Sequence, residues 1–295
     1  MALPGVDPAP LDASIEVRLR LRSGEELRGP LADLSEASTR RLPDGGVVAN
    51  VGSLGKLEIS ADGALIDIFP SADCGPGLVQ HLIFEHALPR RFALLGHTAL
   101  HANAVSIDGG IVGLLGPSGS GKSTLSGALA SAGGRWVADD FLLLEIGDER
   151  TVAIPTVVGT QLRADSASAL GLVHETAEMI TGKHRKRRWT VCGVSEPEQV
   201  RSLFSLDRRE DTDGPVTCTP MMGRSAMVLL AERWFLSPTE AVSPTTFLQR
   251  SSDLLRSTPL YQLSYPGSLA RLGEVVETMR AVASCGLVSS GTEGG

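Results

Sequence analysis

The segment around residues 111–133 constrains the fold more than any other part of this chain. A short apolar run, IVGLLG, leads directly into the glycine-rich sequence GPSGSGKSTL. Gly116, Gly121, Lys122 and Ser123 complete the pattern G-x-x-x-x-G-K-[ST]. Because an apolar strand precedes this pattern and a helix is expected after it, the segment predicts a strand–loop–helix unit that cradles phosphate groups.

The residue types of this loop suit the binding of a nucleoside triphosphate. Its glycines allow positive φ, so successive N–H groups can turn inward around phosphate oxygens at a helix N-terminus. The Lys122 ammonium is expected to reach the β- and γ-phosphates, and the Ser123 hydroxyl to ligate Mg²⁺. The pattern therefore predicts ATP and Mg²⁺ as ligands. The predicted nucleotide-binding residues are Gly116, Ser118, Gly119, Ser120, Gly121, Lys122, Ser123 and Thr124.

Two adjacent carboxylates, Asp139 and Asp140, interrupt the apolar run RWVADDFLLLEI, which follows the predicted helix. They are expected at the carboxyl end of a strand, where they can reach the crevice of an α/β sheet. Phosphoryl transfer uses carboxylates either to hold the metal or to orient and deprotonate the attacking hydroxyl. A polar turn after a strand is the alternative, but the preceding phosphate loop favours a functional pair.

Residues up to about 80 have the pattern of a small β-rich unit. Apolar and polar residues alternate in SIEVRLRLRSG, and similar short runs follow as VVANV, KLEIS and ALIDIF. The next segment, GLVQHLIFEHALPRRFALLG, is predicted to be helical and interrupted at Pro89. We therefore expect a small β-rich domain over residues 1–80 and a larger domain over residues 81–290.

The larger domain alternates strands with helices, which predicts an α/β sheet. The strand candidates are HANAVSI, IVGLLG, RWVADDFLLLEI, AMVLLAE and YQLSY. The helix candidates are the segment after the phosphate loop, PTTFLQRSSDLLRS and the amphipathic SLARLGEVVETMRAVA.

Composition narrows the class of protein further. A formal net charge of −7 argues against a general nucleic-acid or membrane-surface binder, which usually carries a positive field. The four cysteines are scattered without zinc spacing, and the first residues lack the pattern of a signal peptide. We expect a cytoplasmic protein without a membrane span, with no nucleic acid as partner.

A phosphate-loop motif like GPSGSGKSTL also occurs in ABC-type transport ATPases. Those proteins need an LSGGQ-like signature well after the loop and a later apolar strand that ends in adjacent Asp and Glu. The LSG here, Leu125 to Gly127, lies inside the predicted loop helix, and AMVLLAE ends in a lone Glu232. The sequence therefore disfavours that class.

The segment HANAVSIDGGIVGLLGPSGSGKSTLSGALASAGGRWVADD resembles the catalytic core of the HPr kinase/phosphorylase family. It is more similar still to the shorter HPr-kinase-like serine kinases of peptide-modification systems such as lasso-peptide biosynthesis. The likeness is sharpest over residues 98–145 and weaker over most of the chain after residue 80. It implies a P-loop kinase domain of HPr-kinase, PEP-carboxykinase-like, type that follows the β-rich unit.

The resemblance also implies roles for individual residues. His101 corresponds to the active-site histidine, Lys122 to the phosphate-binding lysine and Asp140 to the general base that takes the hydroxyl proton. Ser123, Asp139 and Asp165 are the predicted magnesium ligands, with Asp165 in QLRADS standing near a downstream metal carboxylate of the family. The Glu-x-Arg-Gly pattern of the bifunctional enzymes is absent, so no motif supports a phosphate-dependent reverse reaction.

Two features have more than one interpretation. A lone histidine near the start of a strand is commonly structural. The resemblance instead favours a functional role for His101, which would position the acceptor or stabilise charge when protonated. The basic run over residues 183–188 is either a solvated loop or a mobile lid that contacts the γ-phosphate or an acidic substrate.

The function predicted from the sequence is transfer of the γ-phosphoryl group of ATP to a serine hydroxyl of a peptide or protein. A kinase for a small hydroxylated metabolite such as free serine, and a nucleotide-switched binding protein without transferase activity, remain open. A homo-oligomer is possible, since the bifunctional relatives assemble.

Overall fold

The computed structural model describes residues 17–22, 38–156, 160–171, 178–179, 186–189, 193–211, 213–235 and 243–285. These residues form a mixed α/β structure with three sheets, which confirms the predicted fold class. None of the helices in these ranges is long and apolar enough to cross a bilayer.

The first sheet contains five strands in the order β1-β5-β4-β3-β2. Its strands are β1 (Arg18–Leu21), β2 (Ser38–Arg41), β3 (Val47–Asn50), β4 (Gly55–Ile59) and β5 (Leu65–Pro70). Alternating side chains of β4 and β5, such as Leu57 and Ile66, are completely buried in a small core of their own. The alternation read from the sequence thus corresponds to a half-buried sheet.

A helical bridge connects this sheet to the rest of the chain. It runs through α1 (Pro76–His81), a π-helical segment (Leu82–Ala87) and α2 (Leu88–Leu94). The sequence predicted an interruption of the helix at Pro89. In the structure, a wider π-helical segment lies directly before α2, and the helical backbone continues through Pro89. Leu82 packs in the core of the first sheet, while Ala93 packs beside strands of the second. The domain boundary at residue 80 stays a prediction.

The second sheet has nine strands. They are β6 (Thr98–Leu100), β7 (Ala102–Ile107), β8 (Gly110–Leu115), β9 (Arg135–Ala138), β10 (Leu142–Ile146), β11 (Thr151–Ile154), β15 (Glu198–Arg209), β16 (Thr217–Pro220) and β17 (Leu260–Pro266). A third, three-stranded sheet contains β12 (Thr160–Arg163), β13 (Glu178–Met179) and β14 (Lys186–Trp189).

Helices cover both faces of the second sheet. The remaining helices are α3 (Lys122–Ser131), α4 (Ala164–Ala169), α5 (Gly223–Arg233), α6 (Pro244–Ser257) and α7 (Leu272–Cys285). Side chains of α3 and α7 pack in one core with Leu114 and Phe204, whereas α5 and α6 pack in another with Leu115 and Leu203. Successive residues of β8 and β15 therefore enter opposite cores, as the strand period of two requires.

Strand direction determines where the functional residues can meet. β15 runs parallel to β8 and β17, and β7 is antiparallel to both β8 and β9. Strands β8, β9, β15 and β17 consequently point the same way, and the loops after them lie at one edge of the sheet. Ligands of open α/β sheets bind outside this carboxyl edge.

Two predicted elements differ in the structure. AMVLLAE, predicted as a strand, lies in α5, where Ala226 and Leu230 are buried at helical spacing and Val228 is half exposed. A short apolar run cannot distinguish a strand from a helix by periodicity, which explains the error. RWVADDFLLLEI forms two strands, β9 and β10, divided at the Asp139–Asp140 pair.

Candidate active site

The phosphate-loop sequence has the backbone geometry that the motif predicted. It connects β8 to α3, and Gly119 and Gly121 adopt left-handed φ values of +85° and +95°. No side chain caps α3 at Gly121. The first N–H groups of a helix have no intrahelical acceptor and carry partial positive charge. This arrangement fits a bound phosphate group.

Tyr265, near the end of β17, lines the cleft and contacts the phosphate loop. Its hydroxyl donates a hydrogen bond to the Ser120 carbonyl oxygen at 2.6 Å. Burial raises the pKa of the Tyr265 phenol, so the hydroxyl stays protonated as a donor. A Cβ atom on Gly121 would lie 2.3 Å from this hydroxyl. Glycine at 121 is therefore required by close approach as well as by its positive φ.

Lys122 lies with its ammonium in the loop. The side chain is 6% exposed, and Nζ donates to the Gly116 carbonyl oxygen at 2.9 Å. Nζ also lies 3.4 Å from His101 Nε2 and 3.9 Å from Asp140 Oδ1. Three of the predicted catalytic groups therefore meet at one point, although they come from three separate segments.

His101 stands between β6 and β7, and its backbone N–H donates to the Arg233 carbonyl oxygen at 2.6 Å. Its Nε2 lies 3.7 Å from Asp140 Oδ1, and its ring packs edge to face on Phe235. Burial lowers the pKa of His101; the Asp140 carboxylate raises it, and the Lys122 ammonium lowers it again. The net lowering favours the neutral imidazole at pH 7. This supports positioning of an acceptor over charge stabilisation by a protonated ring.

The turn between β9 and β10 separates the two carboxylates. Asp140 has a φ of +60° and lines the cleft, whereas Asp139 is not among the cleft-lining residues. Asn103 of β7 donates from Nδ2 to Asp139 Oδ1 at 2.6 Å and accepts the Asp140 N–H at 3.1 Å through Oδ1. Sequence reasoning missed Asn103, because the contact joins positions 36 and 37 residues apart.

Asp165 lies in the first turn of α4, is exposed, and lines the cleft next to Ser166. Its Oδ1 accepts the Ser166 N–H at 2.9 Å, and the Ser166 hydroxyl lies 3.0 Å from the Thr124 hydroxyl. Within the described ranges there is no group of three or more His, Cys, Asp or Glu side chains that could hold a metal. The magnesium set Ser123, Asp139 and Asp165 thus stays a prediction.

The cleft has a volume of about 570 Å³, within the range usual for small-molecule sites. Its phosphate-loop side includes the predicted residues Ser118, Gly119, Gly121, Lys122, Ser123 and Thr124. A second set of lining residues comes from other segments, and we call this set the facing side: His81, Glu85, His86, His101 and Asp140.

Several cleft residues were not expected from the sequence. His81 Nδ1 pairs with Glu85 Oε2 at 2.8 Å on the helical bridge, and Arg208 at the end of β15 lies beside the loop. No motif marked these positions. Of the basic run, residues 183–185 lie outside the described residues, and 186–188 belong to the backbone of β14.

Sequence comparison shows relatives of this chain. HPr kinase/phosphorylases from Xylella fastidiosa strains M12, Temecula1 and 9a5c are each 28% identical to it over 217 residues, covering 69% of this chain and 67% of the relative. The chain is related to the HPr kinase/phosphorylases. The resemblance predicted from its motifs is thereby confirmed, and the relation supports an enzyme of the kinase class.

A solved structure that is similar to this chain is the Hpr(Ser) kinase/phosphatase from Coxiella burnetii. It is 16% identical, with a TM-score of 0.35, over 64% of this chain and 97% of that one. No family model matches the chain.

Proposed function

We propose that the chain is an ATP- and Mg²⁺-dependent kinase that transfers the γ-phosphoryl group to a serine hydroxyl of a peptide or protein. The meeting of Lys122, His101 and Asp140 within 3.9 Å at the mouth of the phosphate loop carries this proposal. Sequence relatives that are kinases by name support the same class.

The loop residues fit the triphosphate. The uncapped N-terminus of α3 and the left-handed glycines present backbone N–H groups, and Lys122 adds a buried ammonium. Ser123 in the first turn of α3 and Asp165 at the cleft side would hold Mg²⁺, which commonly takes one or two protein ligands besides phosphate and water. When bound, Mg²⁺ would neutralise negative charge on the triphosphate.

In the proposed step, Asp140 accepts the proton of the acceptor hydroxyl. The hydroxyl oxygen forms a bond to the γ-phosphorus as the bond from this phosphorus to the β–γ bridging oxygen breaks, and that electron pair leaves with ADP. Lys122 stabilises the charge on the transferring group, and neutral His101 orients the acceptor beside Asp140. Because the transition state of phosphoryl transfer is loose, a carboxylate suffices as the base.

The decisive experiment is transfer from γ-labelled ATP with Mg²⁺ to serine-containing peptides, free serine and water. The parent is compared with Asp140→Asn and Lys122→Ala, and with Asp148→Asn and Lys56→Ala as controls outside the cleft. We expect label on a peptide serine, a loss of about 10²–10⁴-fold in kcat for Asp140→Asn with ATP affinity kept, and a loss of ATP binding for Lys122→Ala.

Other outcomes point to the alternatives. Label on free serine alone would indicate a small-metabolite kinase. Tight ATP binding without transfer, together with a biological activity that survives Asp140→Asn, would indicate a nucleotide-switched binding protein.

A further inference from the structure

Asn103 connects the two carboxylates of the β9–β10 turn. It is completely buried on β7, the strand next to β9, and both ends of its amide are used. The donor Nδ2 faces the Asp139 carboxylate, which can only accept when ionised, and the acceptor Oδ1 faces the Asp140 N–H, which can only donate. The two partners therefore define the orientation of the amide.

The backbone at this turn needs such support. Asp140 and Asp108 are the non-glycine residues with positive φ in the part of the chain that the structure describes. The pairing of β7 with β9 shifts register beside Ala104 and ends at Ala138, so the ladder does not continue through the carboxylates. The Asn103 side chain supplies the bonds that the strands do not.

As a consequence, the two neighbouring aspartates make different contacts. Asp139 turns toward Asn103, while the left-handed turn directs Asp140 into the cleft, where Oδ1 lies 3.9 Å from Lys122 Nζ and 3.7 Å from His101 Nε2. The carboxylate of Asp139 serves this contact, and Asp139 is not among the cleft-lining residues.

We propose that Asn103 is a positioning residue that, with Asp139 as its anchor, holds Asp140 in the geometry required of the base. This inference rests on the proposed function, since it concerns the placement of the group that takes the acceptor proton. It also assigns Asp139 to the anchoring contact in place of the metal role predicted from the sequence.

A reversal of the contact tests this. Asn103→Asp places two carboxylates against each other and removes the donor. The double variant Asn103→Asp, Asp139→Asn restores one donor and one acceptor in reversed order. A carboxylate oxygen at position 103 can still accept the hydrogen bond from the Asp140 N–H. The double variant also has the same net charge as the parent. Asp139→Asn alone completes the double-mutant cycle.

We expect Asn103→Asp to lower kcat by about 100-fold with the KM for ATP within about threefold of the parent, because a small misplacement of a catalytic group has effects of this size. The double variant should recover to within about tenfold of the parent. Its crystal structure should show Asp140 with positive φ and its carboxylate near Lys122. The kcat is calculated per ATP-binding site, with the sites counted by calorimetric titration. A role in folding alone would lower the number of binding sites and leave the kcat per site equal to that of the parent.

The outcomes separate the two proposals. Absence of transfer by the parent overturns the proposed function and, with it, the catalytic role of Asn103. A parent that transfers, beside an Asn103→Asp variant with equal kcat, overturns the positioning role alone. Loss of transfer in Asp139→Asn with no recovery in the double variant also overturns it, because Asp139 would then serve the reaction directly. If Asn103→Asp fails to fold, recovery in the double variant still supports the contact.

Discussion

The two sides of the cleft are built in different ways. The phosphate-loop side comes from one contiguous segment, residues 116–124, and presents mainly backbone groups and one lysine. The facing side combines the helical bridge, the start of β7 and the β9–β10 turn, and presents side chains, among them His86 and Asp140. Under the proposed function, the first side would bind the groups that all nucleoside triphosphates share, and the second would contact the acceptor.

This difference has an energetic basis. The loop side depends on local backbone conformation, with positive φ at Gly119 and Gly121 and an uncapped helix N-terminus. The facing side depends on tertiary contacts such as those of Asn103, each of which joins distant positions. Substitutions on the two sides should therefore affect different properties, nucleotide affinity on the loop side and transfer or acid stability on the facing side.

Among the variants that test this comparison of the two sides, Gly121→Ala should have the largest effect. The added methyl would lie 2.3 Å from the Tyr265 hydroxyl and would force a left-handed alanine. We expect the ATP Kd, measured by isothermal titration calorimetry, to rise by about 100-fold, since displaced loop N–H groups lose charge-assisted bonds to phosphate.

Gly133→Ala is the matched control. Gly133 also has a positive φ, +99°, but a Cβ there would meet nothing within 4 Å. We expect a stability loss of about 1–2 kcal/mol and an unchanged ATP Kd. Equal ATP affinity in the two alanine variants would show that the Tyr265 contact does not restrict the loop.

Tyr265→Phe tests whether nucleotide binding by the loop side depends only on the local backbone or also on a distant contact. The variant removes the bond to the Ser120 carbonyl and keeps the ring. A neutral hydrogen bond contributes about 1 kcal/mol, so the ATP Kd should rise about fivefold. Tyr261→Phe, on the same strand with its ring stacked on Phe204, should leave the Kd unchanged. An unchanged Kd in both variants would mean that ATP binding by the loop does not depend on the hydrogen bond from Tyr265.

The smallest effect concerns His86 on the facing side. Burial, followed by the charges of Arg90, His81 and His101, lowers its pKa to about 3. An unfolded histidine has a pKa near 6.5, so as the pH falls from about 6.5 toward 3 the unfolded state binds the proton and the folded state does not. This histidine therefore reduces stability over that window.

Thermal unfolding at several pH values measures the contribution of His86. Between pH 7.5 and 5.5, His86→Gln should lose about 3 °C less in Tm than the parent. An equally steep loss in both proteins would mean that His86 takes up its proton in the folded state.

The sequence predicted those parts of the molecule whose structure is determined locally. The strand–loop–helix unit around Lys122, the α/β class and four strands of the first sheet (β1, β3, β4 and β5) follow from short patterns, and the structure contains them. Strand β2 of that sheet was not predicted. His101 and Asp140 were proposed from the family resemblance, and the structure brings both close to Lys122; their roles stay proposals. The contacts of Tyr265 and Asn103 could not be predicted, because no periodicity or spacing relates residues on different strands.

The helix α5 shows that a local pattern can also mislead. Its apolar run looked like a strand because six consecutive apolar residues suit a buried strand as well as a helix. Only the packing of Ala226 and Leu230 against the sheet, with Val228 toward solvent, distinguishes the two. The predicted interruption at Pro89 and the single strand through Asp139 were likewise changed by tertiary structure.

The bond between Tyr265 and Ser120 has a consequence for the order of events during synthesis. The two residues are 145 positions apart, so the ribosome completes the phosphate loop long before it adds the tyrosine. At a translation rate of about 5–20 residues per second, the interval is roughly 7–30 s. The parallel neighbour of β8, strand β15, also arrives within this interval. A nascent chain therefore carries the complete motif while it still lacks the strand that shapes it, and ATP should bind stably only after β17 has left the exit tunnel.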